Sequence, residues 1–286
     1  MKIGWIGLGA MGIPMAARLC DAGLKVSVYN RTESKATPLK EKGVAVYTNP
    51  IDLAAKKVDL IFTMLSDKTA IDAVLAPKFW EQMSEKIVVN MSTIAPLESL
   101  ALEKIAQKHQ VTYLEAPVSG SVGAAKAGAL LILAAGEKEV VTQLKPVFAH
   151  LGSQTFYLGK VGQGMRAKLS INSLLAQMGV AYSEALLLAK HLGVDAESFL
   201  QIIGQSGMNS PLFQAKKGMW LQDSYPAAFS LKLMLKDIRL ANNEAGEAIQ
   251  LPFLSKAQEF YSQAEKSGLG EMDMATVYHY LEKGEH

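Results

Sequence analysis

Over roughly the first 160 residues, short runs of apolar and β-branched residues alternate with amphipathic stretches of helical period. Residues 2–7 read as a strand, 11–22 as a helix closed by Gly23, and 25–29 as a second strand. Asn49-Pro50 sets a capping side chain before a first-turn proline and opens a short helix ahead of a strand over 58–63. Residues 87–90 form a further strand, and Ser92-Thr93 precede a helix over about 96–108. Runs at 111–115, 130–135 and 155–158 complete the strands. This alternation predicts βαβ units and a mostly parallel, doubly wound sheet. The period changes after Gly164. One long helical pattern without proline runs from about 165 to 193. Helical segments follow near 195–205, 210–221, 229–248, 252–267 and 271–283, with no convincing strand.

Composition narrows the classes. A chain of 286 residues suggests about two domains. Hydrophobic residues make up 49% and charged residues 20%, enough for a sizeable core, which excludes disorder as the main state. Lys plus Arg number 29 against 27 Asp plus Glu, and no dense basic run marks a nucleic-acid surface. The single cysteine, Cys20, excludes an internal disulfide and zinc sites built on several cysteines, and fits a reducing cytoplasm. The histidines at 109, 150, 191, 279 and 286 show no metal-ligand spacing, so no metal site is expected. The longest apolar runs, 58–65 and 129–135, fall well short of the ~18 residues of a membrane helix. Lys2 followed by IGWIGLGAMGIPMA has the outline of a signal peptide. Glycines at 4, 7, 9 and 12 and the lack of an A-x-A site favour a strand and tight turn instead. The last four residues, Lys283-Gly284-Glu285-His286, read as a frayed end.

Gly7-Leu8-Gly9-Ala10-Met11-Gly12 is a G-x-G-x-x-G between an expected strand and an expected helix. The first glycine permits the turn, the second lets backbone approach a pyrophosphate, and the third allows close helix–strand packing. The helix N-terminus attracts the phosphates. The fold class is therefore α/β: a Rossmann-type, dinucleotide-binding domain over 1–162, then an all-α domain over 163–286, joined by a long helix. An NAD-binding fold usually ends its second strand with a carboxylate for the ribose 2′-OH. Here Asn30-Arg31-Thr32 stand at that point, with Lys35 nearby. Arg31 can pair with a 2′-phosphate bidentately and Thr32 can donate a hydroxyl, so NADP is favoured over NAD. The plainer reading of Arg31 is an exposed residue capping the next helix.

Hydride transfer also needs substrate recognition and a group that moves a proton at the carbonyl oxygen. Pro117-Val118-Ser119-Gly120-Ser121 reads as a serine- and glycine-rich turn whose hydroxyls and N–H groups suit a carboxylate, though a plain loop reads the same way. Gly162-Gln163-Gly164 opens the long helix, and within it Lys168 and Asn172, four apart, share a face. Ala167, Leu169, Ile171, Leu174 and Leu175 suggest that this helix is largely buried, which would disfavour the charged form of Lys168. A helical lysine taken alone is more often solvated surface. Lys236-Asp237 lie side by side in a later helix and, as helical neighbours, are expected not to face each other.

Together GLGAMGIPMA (7–16), EAPVSGS (115–121), GQGMRAKLSIN (162–172) and LKDIRLA (235–241) make the chain resemble the β-hydroxyacid dehydrogenases, relatives of 3-hydroxyisobutyrate and 6-phosphogluconate dehydrogenase. The resemblance implies Lys168 as the catalytic lysine, Asn172 as its substrate-orienting partner, and Ser119 and Gly120 as the substrate-carboxylate cradle. It places Thr93 on the nicotinamide side and Met64-Leu65 on the adenosine side. Lys236 would reach cofactor or substrate, Asp237 would hold local structure, and Phe229 would close over the site. NRT at 30–32 and SGS at 119–121 resemble the NADPH-dependent glyoxylate and succinic semialdehyde reductases. VGAAKAG (122–128) is more similar to the 3-hydroxyisobutyrate and tartronate semialdehyde branch. Imine reduction and a non-catalytic cofactor-binding module are the weaker alternatives, and no extra basic cluster suits a sugar phosphate. The resemblance also implies a homo-oligomer, dimer or tetramer, built through the helical half.

Overall fold

A computed structural model describes residues 1–56 and 58–284. Glu285 and His286, the end of the tail expected to fray, lie outside the described residues. The chain divides into two compact units, Met1–Lys168 and Leu169–His286.

The first unit is built on six parallel strands: β1 (Lys2–Ile6), β2 (Lys25–Tyr29), β3 (Ala45–Tyr47), β4 (Leu60–Thr63), β5 (Ile87–Asn90) and β6 (Thr112–Glu115). Their order is β3-β2-β1-β4-β5-β6, so the winding direction reverses between β1 and β4. Because side chains alternate along a strand, Ile3, Trp5, Leu60 and Phe62 join one core while Ile6, Ile61 and Val88 join another on the opposite face. The crossovers carry α1 (Gly12–Asp21), α2 (Thr37–Lys40), α3 (Pro50–Ala55), α4 (Lys68–Val74), α5 (Pro77–Glu81) and α6 (Pro96–Lys108). Local chemistry starts several of them. Asn49 Oδ1 accepts from the Ile51 N–H at 2.8 Å, with Pro50 in the first turn of α3. Likewise Glu98 Oε2 accepts from the Ala95 N–H at 2.9 Å at the head of α6.

The later strands of this unit depart from the sequence reading. The expected strands at 130–135 and 155–158 do not extend the parallel sheet. They form a separate three-stranded sheet of β7 (Val118–Ser119), β8 (Leu130–Ala134) and β9 (Gly152–Tyr157), with α7 (Val122–Ala127) and α8 (Lys138–Phe148) between them. Pro117 has no N–H to continue a ladder, and the chain turns so that β7 runs antiparallel to β8. Val118–Ser119, read as part of a turn, is therefore a short strand. The three-residue β3 escaped notice because it is too short to show a period.

In the second unit, the body of α9 (Gln163–His191) is followed by α10 (Ala196–Gln205), α11 (Pro211–Gln222), α12 (Leu231–Ala245), α13 (Pro252–Ala264) and α14 (Val277–Lys283). The helix expected over 271–283 is shorter. Asp273 instead heads a 3-10 turn at Met274–Thr276, its carboxylate accepting from Ala275 N–H at 3.0 Å. A side chain that bonds nearby backbone in this way competes with helix. Helix α9 is also less buried than its composition suggested. Leu169, Asn172, Ala176, Val180, Ser183 and Leu186 form one buried stripe at helical spacing, while Ile171 and Leu174 are 39% and 59% exposed. Among the described residues no helix is long and apolar enough to cross a membrane.

Candidate active site

The glycine-rich turn leaves the carboxyl end of β1, where the winding reverses and open α/β sheets bind ligands. Gly7 has φ +100°, and a Cβ there would lie 2.2 Å from the Met64 carbonyl oxygen. At Gly12 a Cβ would lie 1.9 Å from the Gly7 carbonyl oxygen. Side chains are thus excluded at both ends of the motif. Gly9 between them is exposed, with nothing within 4 Å of a would-be Cβ. This is a cradle closed beneath and open above, which fits the backbone approach a dinucleotide pyrophosphate requires. Ala10 is exposed and Met11 is half-buried at the head of α1.

Leu8 is buried, and its N–H donates to Asn30 Oδ1 at 2.8 Å. Asn30 Nδ2 in turn donates to the Thr32 carbonyl at 2.8 Å. The Asn30 amide therefore staples the turn to the end of β2. Arg31, Thr32 and Lys35 stand exposed just beyond it. Thr32 precedes the Glu33–Ala36 turn without a side-chain capping bond. On the other side of β1, Met64 and Leu65 are half-buried, and the Leu65 N–H donates to Ser92 Oγ at 2.8 Å, next to half-buried Thr93.

Ser119 ends β7 half-buried and Gly120 is exposed with φ +142°. A Cβ at Gly120 would meet Leu130 Cδ2 at 2.8 Å, so the backbone turns tightly over β8. The next hydroxyl, on Ser121, caps α7 by accepting from Ala124 N–H at 3.2 Å, which leaves Ser119 and the Gly120 backbone as the groups suited to a carboxylate.

Lys168 is half-buried on α9. Asn172, one turn on, is 1% exposed, and its Nδ2 donates to Asp237 Oδ2 at 2.6 Å. Lys236 Nζ sits 2.8 Å from Asp237 Oδ1 as an ion pair. Sequence spacing had kept these neighbours apart. The flexible lysine stem nevertheless brings its ammonium to the buried carboxylate. One carboxylate thus holds two of the expected site residues. Phe229 is half-buried, and its N–H donates to Asp273 Oδ2 at 3.0 Å. Asp273 itself forms an ion pair with Lys216 at 2.6 Å, with side-chain exposures of 0% and 7%.

Residues 2–159 match the family described as the NAD binding domain of 6-phosphogluconate dehydrogenase. Residues 162–281 match that described as NAD-binding of NADP-dependent 3-hydroxyisobutyrate dehydrogenase. The chain is 38% identical to glyoxylate/succinic semialdehyde reductase 1 of Arabidopsis thaliana, over 97% of each. To the mitochondrial 3-hydroxyisobutyrate dehydrogenase of Homo sapiens it is 31% identical, over 99% of this chain and 87% of that protein. The structure of Mycobacterium tuberculosis 3-hydroxyisobutyrate dehydrogenase with L-serine superposes with a TM-score of 0.86 at 26% identity, covering 98% of each chain. The chain belongs to the 3-hydroxyisobutyrate dehydrogenase-like β-hydroxyacid dehydrogenases. It is an NAD(P)-dependent oxidoreductase of the class that acts on CH–OH groups.

In this β-hydroxyacid dehydrogenase a set of buried polar residues, at or just beyond strand ends and, for Ser99, on α6, was given no role from the sequence. Thr63, Asn90, Ser92, Ser99 and Glu115 are fully buried, and Glu115 reaches the start of α9. Burial pushes the Glu115 carboxyl above its ordinary value, against the hydrogen bonds from Ser99 and the α9 backbone. The one available signal was a carboxylate closing the otherwise apolar strand end Tyr113-Leu114-Glu115.

Proposed function

We propose that this enzyme reduces a short aldehyde acid, glyoxylate or succinic semialdehyde, to the hydroxy acid with NADPH. The observation that carries this reading is the arrangement on α9. Lys168 and Asn172 lie one turn apart on a helix, and Asn172 is fixed by a buried carboxylate, in a chain 38% identical to a glyoxylate/succinic semialdehyde reductase.

Ser119 and the Gly120 backbone hold the substrate carboxylate. Asn172 orients the carbonyl. Lys168 gives a proton to the carbonyl oxygen and takes it back in the reverse direction, the work of a general acid–base group. The cofactor, when bound, supplies the hydride that reaches the carbonyl carbon. Gly7, Leu8, Gly9, Ala10, Met11 and Gly12 hold its pyrophosphate. Met64, Leu65 and Thr93 line its two ends, and Lys236 and Phe229 are the second unit's candidate binding residues. Arg31 and Thr32, with Asn30 fixing the loop, take the 2′-phosphate, since no carboxylate stands at the end of β2 to repel it. In this reading residues 1–162 serve as the cofactor domain and 163–286 as the helical domain. A homo-oligomer in the cytoplasm completes this reading.

A second reading, the 3-hydroxyisobutyrate or tartronate semialdehyde branch, draws on VGAAKAG. In the structure that segment is α7, capped by Ser121 and ended by Gly128 in the left-handed region. Absorbance at the reduced-nicotinamide band, with glyoxylate and succinic semialdehyde against NADPH and NADH, separates the branches. Turnover preferring NADPH is the expected result. Oxidation of 3-hydroxyisobutyrate with NAD, and no reduction of either aldehyde acid, would overturn it. Arg31→Ala should narrow the NADPH-over-NADH preference by roughly 10-fold, about the worth of one charge-assisted hydrogen bond.

A further inference from the structure

A buried chain of hydrogen bonds runs from the cofactor-side strand ends of the first unit to the first turn of α9. It begins where Asn90 Oδ1 accepts from Thr63 Oγ1 and from the Ser92 N–H, both at 3.0 Å. A backbone N–H can only donate, so this amide atom is the oxygen and the other is the nitrogen. Asn90 Nδ2 donates to the Tyr113 hydroxyl at 3.2 Å. Tyr113 lies 3.0 Å from Ser99 Oγ, and Ser99 Oγ donates to Glu115 Oε2 at 2.5 Å. Serine has one hydroxyl proton and gives it to the carboxylate, so Tyr113 must donate to Ser99. Every link therefore points the same way, toward Glu115.

Glu115 delivers this chain to the helix. Its Oε1 accepts from the Gly162 N–H at 2.8 Å and the Met165 N–H at 3.2 Å. An anionic acceptor suits the partial positive charge of a helix start. The contact is close because a glycine allows it. A Cβ on Gly164 would lie 3.1 Å from Glu115 Oε1 and 2.5 Å from the Leu133 carbonyl oxygen. Lys168 follows Met165 by three residues. A helical side chain lies over the turn that precedes its own Cα. The turn Glu115 grips is therefore the turn from which the Lys168 side chain is presented.

We propose that Glu115 is the positioning residue for Lys168, locking the first turn of α9 to the strand ends that carry Leu65 and Thr93. This deepens the proposed function and rests on its reading of Lys168. The role depends on charge as well as shape. Glutamine at 115 matches the size of glutamate but places an N–H where the carboxylate accepts. Either Ser99 and Tyr113 reverse, leaving the Tyr113 proton against Asn90 Nδ2, or the amide nitrogen faces the N–H groups of α9. Aspartate is shorter but remains acceptor-only, so no donor is turned against another.

Glu115→Gln, Glu115→Asp, Lys168→Ala and Glu115→Gln/Lys168→Ala test the proposal in the full-length enzyme, with the substrate and cofactor the native protein turns over. Glu115→Gln should lower kcat by roughly 10- to 100-fold, the scale of an ångström-level misplacement, with the KM for cofactor within about 2-fold. Glu115→Asp should lose less than Glu115→Gln, the reverse of the order that packing alone predicts. The double variant should be no slower than Lys168→Ala, because both act through one group. Amide hydrogen exchange over 162–168 should quicken in Glu115→Gln and not in Lys168→Ala. Unchanged exchange, a Gln variant as active as the native enzyme, or losses that multiply in the double variant would overturn the proposal while leaving Lys168 catalytic. Near-native turnover by Lys168→Ala would overturn both. If Glu115→Gln fails to fold, Tyr113→Phe breaks the same chain at nearly constant volume. It should then show the same non-additivity with Lys168→Ala, and multiplying losses there would overturn the proposal.

Discussion

The two units place polar groups in different ways. In the first, the candidate cofactor groups are largely backbone, shaped by glycines at fixed offsets and by side chains that bond a few residues away or across adjacent strands. Asn30 reaches back to Leu8 across two neighbouring strands, and its other bond is to Thr32, two residues on. The second unit relies more widely on buried carboxylates that gather partners from distant segments, as Glu115 does in the first. Asp237 holds Asn172 from 65 residues away, and Asp273 holds Lys216, Ala228 N–H and Phe229 N–H. The interior of that unit is also less fully paired. Tyr261 is buried with no hydrogen-bond partner for its hydroxyl among the described residues, and burial pushes its pKa far up. Binding geometry made of backbone tolerates change around it. A network centred on one charge fails when that charge is removed.

This contrast can be broken at several points. The largest effect belongs to Lys168, the last residue of the first unit. Lys168→Ala should cut kcat by roughly 10²- to 10⁴-fold with a much smaller loss of stability than Asp273→Ala, which steady-state kinetics and a thermal melt together would check. Asp273→Ala should act in the opposite sense, on stability first. It strips the partner from a buried ammonium, at a cost of about 3–5 kcal/mol. Urea unfolding followed by tryptophan fluorescence should show the loss, with Trp220 of the second unit as a local reporter.

Gly12→Ala should cost about 1–3 kcal/mol through overpacking, since its Cβ would collide with the Gly7 carbonyl. It should also weaken cofactor binding, read by quenching on titration with NADPH. A variant that binds NADPH as the native enzyme does would show that the close approach is not needed. The smallest effect is the pH response of Glu115. Its carboxyl is held above the ordinary 4.5 chiefly by burial. The folded chain therefore keeps a proton that the unfolded chain has already lost. That contribution to stability is present at low pH and declines as pH rises from about 4.5 through the folded value. Glu115→Gln should remove this part of the slope of melting temperature against pH.

Much of the first unit was legible because its determinants are local. The glycine spacing, Asn49-Pro50 and the period-2 apolar runs each act within a few residues, and β2, β5 and α6 lie within their expected bounds. The exceptions have local causes too. The chain turned at Pro117 into a second sheet, which no periodicity over 130–135 could announce. In the second unit, helix existence was legible and partners were not. Asp273 looked like one more helical position, yet its carboxylate bonds the Ala275 N–H and heads a 3-10 turn, so the α-helix starts only at Val277. Asn172 was chosen for sharing a face with Lys168, while the carboxylate that fixes it lies on another helix.

The sequence alone determined the alternation of strands and helices, the glycine cradle, the absence of a carboxylate after β2, and the spacing of Lys168 and Asn172. Each is a property of neighbours along the chain, governed by backbone sterics and helical period. Tertiary structure alone decided that β7–β9 form their own sheet, that Asp237 orients Asn172, and that Glu115 grips the start of α9. Those outcomes depend on which buried donors and acceptors meet across long separations. A polar group in the core must find a partner, but only the folded chain determines which one.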